Sequence, residues 1–214
     1  MIKSIAIMMI VAFSSLAALA QEKTQNDGLK VWAQIYEVFS HPRCANCHVG
    51  ENNRPKWSGP SYEKAYNLPK GGNMYHAMYI NAGKDRTGAT TTPCATCHQH
   101  RNDTKPHSPP GSDVWLLPPV EMEWFGKSSS YICQQIQDPE RNGNRTLAEI
   151  SKHIEHDELV HWGWNPGPGR QPAPYSSREV ARFIKTWESA GAPCPIENAN
   201  DISTYLETPK QAQE

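Results

Sequence analysis

The chain holds 214 residues with a formal net charge of −1, 37% hydrophobic residues and a mean hydropathy of −0.69. It has neither a basic excess nor a basic run, which excludes the electrostatic footprint of a nucleic-acid binder. With 18 prolines and 14 glycines, so polar a chain buries little apolar surface per residue. Chains in that position recruit disulfides, metals or a cofactor to complete a core.

Residues 1–20 read as a secretory signal peptide. Lys3 precedes an apolar run from Ile5 to Leu19, and Ala18-Leu19-Ala20 gives a small-x-small cleavage pattern before Gln21. Interrupted by Ser14 and Ser15, that run is short for a membrane span, and no other window is apolar enough to cross a bilayer. The mature chain, from residue 21, is expected in a bacterial periplasm without a transmembrane span. Residues 27–40 place Leu29, Trp32, Ile35, Tyr36 and Phe39 on one helical face, with Asp27 as N-cap. His41 follows, expected to be extended and solvent-facing as a pre-proline residue.

Next comes Cys44-Ala45-Asn46-Cys47-His48, repeated 50 residues later as Cys94-Ala95-Thr96-Cys97-His98. In C-x-x-C-H the two thiols make thioethers to one haem and the histidine ligates its iron. A shuffled chain of this composition would hold roughly 0.007 such matches. The rival readings fit less well. The 46 residues between Cys47 and Cys94 are long for a zinc ribbon. A thiol redox motif belongs in a βαβ unit, and a disulfide inside C-x-x-C is tight. The sequence here resembles the dihaem c-type cytochromes, which implies two covalently bound haem c groups.

Residues 49–93 and 99–119 are loop-like, with Gly and Pro throughout. Long irregular connections argue against a compact domain unless they wrap a large rigid group. Residues 128–138, 145–162 and 176–194 read as helices, the last with a Ser176/Glu179 capping box and Gly191 as its stop. Its apolar face is Val180, Phe183, Ile184 and Trp187. Cys133 and Cys194 remain, and an even remainder in an oxidising compartment suggests a disulfide. The rival is one free thiolate on iron. The expected fold is mainly α, with short helices and long loops wrapped around two haems in a cytochrome c-like manner, and at most a hairpin of sheet. Residues 21–194 form the domain and 195–214 a polar tail.

The sixth ligands are less determined. Outside the leader the methionines are Met74, Met78 and Met122, and the free histidines are His41, His76, His100, His107, His153, His156 and His161. Met122, on a proline-held loop, is a candidate for the second haem. His76 is a candidate for the first, with Met74 and Met78 as rivals. His153, continuing the Leu147–Ile150–Ile154 stripe, is a third and is preferred to His156. Trp162 and Trp164 are expected to pack on porphyrin, and His100 and His107 to be exposed.

Several strings taken together, "HPRCANCH", "CATCHQHRN", "PPGSDVWLLPPVEMEWFGKS", "DELVHWGWNPGPGR" and "WESAGAPCP", resemble small exported proteobacterial haem proteins labelled as isoquinoline 1-oxidoreductase subunits. His76, Met122 and His153 match positions of that family. The label implies service to a molybdenum hydroxylase, although nothing in this chain resembles a molybdopterin or iron–sulfur site. The expected role is electron transfer between a periplasmic dehydrogenase and the respiratory chain. The alternative is a dihaem enzyme, a peroxidase or thiosulfate-type oxidoreductase, with one open iron and Glu121 or Glu123 as its acid/base group.

Overall fold

The computed structural model describes residues 2–52 and 54–196, with backbone alone for 2–19 and Ala77. The architecture is mainly helical with long loops and little strand, as expected. Helix α1, Ile2–Phe39, is continuous across the expected cleavage point, so Asp27 is not an N-cap. It pairs instead with Lys30 one turn on, at 3.1 Å. The polar tail expected over 195–214 lies, beyond Ile196, outside the described residues. Among the described residues no helix is long and apolar enough to cross a membrane.

The core is built by the second half of α1 with α4 (Ser129–Gln137), α5 (Leu147–His156) and α7 (Ser177–Ser189). Trp32, Ile35, Val38 and Phe39 point inward from α1, while Leu29 and Tyr36 lie at the margin of the face. α7 packs against α1 and α5 through Val180, Ile184 and Trp187. Trp187 meets Trp32 at 4.9 Å between ring centres. Each fully buried Ile or Val contributes about 1.5–3 kcal/mol. The Ser176/Glu179 capping box forms as expected, and Thr146 with Glu149 makes a second at the start of α5. A Cys133–Cys194 disulfide ties α4 to the segment after α7.

Three expectations need correction. The helix expected over 145–162 is two, because Asp157 leaves helical geometry (φ −76°, ψ 125°). Its carboxylate accepts the Val160 N–H and starts a short α6, Glu158–His161. His41 is extended but half-buried, and its Nδ1 accepts the Arg43 N–H to cap α2, Pro42–Ala45.

The 49–93 stretch is also more regular than its composition implies. Strands β1 (Lys56–Ser58) and β2 (Asn73–Tyr75) pair antiparallel with Trp57 opposite Met74. Between them lies α3, Pro60–Tyr66, opened by Gly59-Pro60 and stopped by Asn67 in the left-handed region. A hairpin of β3 (Gly88–Ala89) and β4 (Thr92–Pro93) leads into the second C-x-x-C-H.

Candidate functional site

The two motifs fold alike. In each, the N–H groups of the second cysteine and of the histidine donate to the carbonyl of the first cysteine, at 3.1 and 3.2 Å for Cys44 and at 3.1 and 3.0 Å for Cys94. This one-turn coil sets both thiols and the imidazole on one side. Neither pair is disulfide-bonded.

The imidazoles are clamped alike as well. His48 Nδ1–H donates to the Met122 carbonyl at 2.9 Å, and the ring lies on Trp124 at 3.5 Å, 2° from parallel. His98 Nδ1–H donates to the Pro110 carbonyl at 2.8 Å, and its ring lies on Trp115 at 4.2 Å, 9° from parallel. A carbonyl only accepts, so each ring carries its proton on Nδ1 and keeps the Nε2 lone pair. Burial drives the His48 pKa down to about 3 and that of His98 to about 4, so both are neutral, the form that ligates metal. Burial also pushes Cys44 up to about 12 and Cys47 to about 11. Thiolate redox chemistry needs the opposite shift. Among the described residues no three His, Cys, Asp or Glu side chains converge on a metal position.

Each motif opens on its own cavity. The first, about 620 Å³, takes in Cys44, Cys47 and His48 with Phe39, Ile150 and Trp164. That volume lies within the ~300–1,000 Å³ of sites for drug-sized ligands. The second, about 250 Å³ and tighter, takes in Cys94, Cys97 and His98. Arg43, Cys47, Trp115 and Trp162 line both.

No family model, curated protein or solved structure matches the chain.

His76, Met122 and His153 are all brought to the cavities, as is Met78 but not Met74, and their partners differ from expectation. His76 stands beside His98, 6.0 Å between ring centres, rather than beside His48. Met122 lines the first cavity rather than the second, and its carbonyl is what holds His48. His153 also lines the first, with Nδ1 3.4 Å from the Asp157 carboxylate. His48, His98 and His153 thus all anchor Nδ1, the pattern of second-shell support for a metal-ligating imidazole. His161 is turned the other way, since Nε2–H donates to the Glu155 carbonyl at 2.6 Å. His100 is exposed as expected, beside Asp113 at 3.3 Å. His107 is exposed too, yet its ring borders the second cavity. Trp162 and Trp164 do line the first cavity.

Sequence reasoning missed the clamps. Their signal is a tandem pattern, Pro109-Pro110-x4-Trp115 followed by Pro118-Pro119-x4-Trp124, each delivering the stacking tryptophan. Arg86 was missed as well. Its Nε–H donates to Pro118 O at 2.6 Å and an Nη2–H to Val49 O at 2.8 Å, fastening the first motif to its clamp loop. Gly111 admits no side chain, because a Cβ there would lie 2.1 Å from the Arg101 carbonyl.

Proposed function

We propose that the chain is a dihaem c-type cytochrome that carries electrons between a periplasmic dehydrogenase, such as a molybdenum hydroxylase, and the respiratory chain. The observation that carries this reading is the duplicated clamp: two C-x-x-C-H turns, each with its imidazole held by a carbonyl and a tryptophan. Haem supplies a one-electron iron couple whose potential follows from its axial ligands.

The donor sets fit the group: a thiol pair and an Nδ1-anchored imidazole in each turn. Cys44 and Cys47 with His48 would hold the first haem, and Cys94 and Cys97 with His98 the second. His76 shares the second cavity with His98, 6.0 Å between ring centres, which favours it as the residue that would complete that site. His153 is favoured for the first, because Asp157 holds its Nδ1 while Met122 serves His48 through the backbone. Two histidines per iron give a lower potential than a histidine–methionine pair. Cys47 lines both cavities, so an electron would pass between the sites without leaving the protein.

Pyridine haemochrome analysis of material from a host that matures cytochromes c is expected to give two haems per chain, and none would end this reading. Reduced protein is expected to leave carbon monoxide unbound, whereas rapid binding at one iron would favour the dihaem-enzyme alternative. His76→Ala is expected to turn one haem high-spin. An unchanged spectrum would remove His76 as a ligand.

A further inference from the structure

Arg43 carries a buried charge with no ion-pair partner among the described residues. It is 6% exposed, lines both cavities, and follows the His41 cap on α2. Its guanidinium carbon lies 5.9 Å from the ring centre of Tyr62 and 5.8 Å from that of Trp162, so the fork sits between two aromatic faces. Its Nε–H is buried with no hydrogen-bond partner. Among the described residues no carboxylate forms an ion pair with it.

The neighbouring cation is Arg170, in the wall of the second cavity. Arg170 is satisfied otherwise: it donates to the Tyr62 hydroxyl at 3.3 Å, to Pro166 O at 3.3 Å and to Ser108 O at 2.5 Å. A cation taken out of water without an anion is strongly destabilising. The arginine fork is shaped to receive a carboxylate through parallel hydrogen bonds.

We propose that Arg43 is the anion-binding residue shared by the two sites, its Nε–H and fork receiving a carboxylate borne by the group bound in the cavities. This rests on the haem reading above, in which that carboxylate is a propionate. Arg43 is then a positioning residue with an electrostatic effect on both irons. Each reduction adds one electron to a site, and a fixed positive charge in the common wall favours that added charge at both. The two potentials are therefore raised together, although only one site need supply the carboxylate.

The test is a redox titration of the holoprotein as wild type, Arg43→Gln and Arg43→Lys, with haem per chain counted for each. Arg43→Gln is expected to lower the reduction equilibrium constant of both haems by about tenfold, which is 59 mV for a one-electron couple. Arg43→Lys keeps the charge and is expected to restore most of that shift. Unchanged potentials in a fully loaded Gln variant would overturn the proposal, as would a shift at one haem alone. Loss of haem in the Gln and Lys variants alike would reassign Arg43 to packing and equally overturn it. Wild-type protein without haem would instead sink the underlying reading before any variant is compared.

Discussion

Trp124 joins the helical core to the first site, and replacing it separates two contributions. Its ring lies between Phe39 of α1, at 4.4 Å and 6° from parallel, and His48, at 3.5 Å. Its Nε1–H donates to the buried Gln135 Oε1 of α4 at 2.8 Å. Its backbone N–H donates to His48 O at 2.9 Å, a bond that any replacement except proline keeps. Trp124→Phe preserves a ring in the stack but leaves Gln135 Oε1 without its donor, which costs about 1–3 kcal/mol. Trp124→Ala removes the ring altogether and should cost about 3–5 kcal/mol. Against a total stability of about 5–15 kcal/mol, the second change approaches loss of the fold.

Equilibrium urea unfolding followed by far-UV circular dichroism reads both, as shifts in midpoint at constant slope. The expected order is wild type, then Phe, then Ala. The Ala variant should also lose definition at the first site before the second, since His98 stacks on Trp115 instead. If both variants stay within about 0.5 kcal/mol of wild type, the span of a neutral surface change, the three-ring stack does not anchor His48.

The Cys133–Cys194 bridge, with a sequence separation of 61, is worth about 4 kcal/mol by the chain-entropy relation, so the double alanine variant should unfold at markedly lower urea. An unchanged midpoint would show that the bridge constrains little. His41 has its pKa drawn from 6.5 down to about 4, by burial and then by Arg43, so the unfolded chain takes up a proton that the folded chain refuses. Its contribution is complete above about pH 6.5 and is lost as the pH falls towards 4; His41→Asn, which keeps the cap, should flatten the stability profile across that window. Gly111→Ala should disturb the Pro110 carbonyl that holds His98 and reduce haem retained at the second motif, while haem at the first persists. Full retention at both would mean that the loops can part at no cost to the site.

Much of the helical framework was legible because its causes are local. The 3.6-residue spacing of Val180, Ile184 and Trp187 and the Ser176/Glu179 box define α7 with no reference to anything distant. The break at Asp157 was missed because the apolar spacing runs on past it, although an aspartate favours a cap over a helix interior. The two C-x-x-C-H turns were legible as a repeat, because five-residue spacing alone marks them. The pairing of His76 with His98 and of Met122 with His48 was not, because it follows from how the loops fold back. Met122 reaches a residue 74 positions earlier, while Pro110 reaches one only 12 earlier, and no periodicity encodes that crossing.

The two sites rest on different foundations, and that difference bears on why the chain is so poor in apolar residues. His48 is stacked through Trp124 and Phe39 onto a core of four helices that includes Ile35, Ile132 and Ile184. His98 is stacked on Trp115, whose further ring contact is the edge of Trp162. The loops around it are fixed by backbone bonds such as Ser112 N–H to Gln99 O and by the Asn102 side chain. The apolar cluster beside Cys47 is small, with Val49, Ala82 and Leu117 at its centre. Fewer apolar side chains are buried around it than in the helical core, so the loops there have less to set against the entropy of ordering them. A flat, largely apolar group held by Cys94, Cys97 and His98 would supply the missing interior. Occupation of the second cavity would then contribute more to folding than occupation of the first, whose wall the helical core already supports.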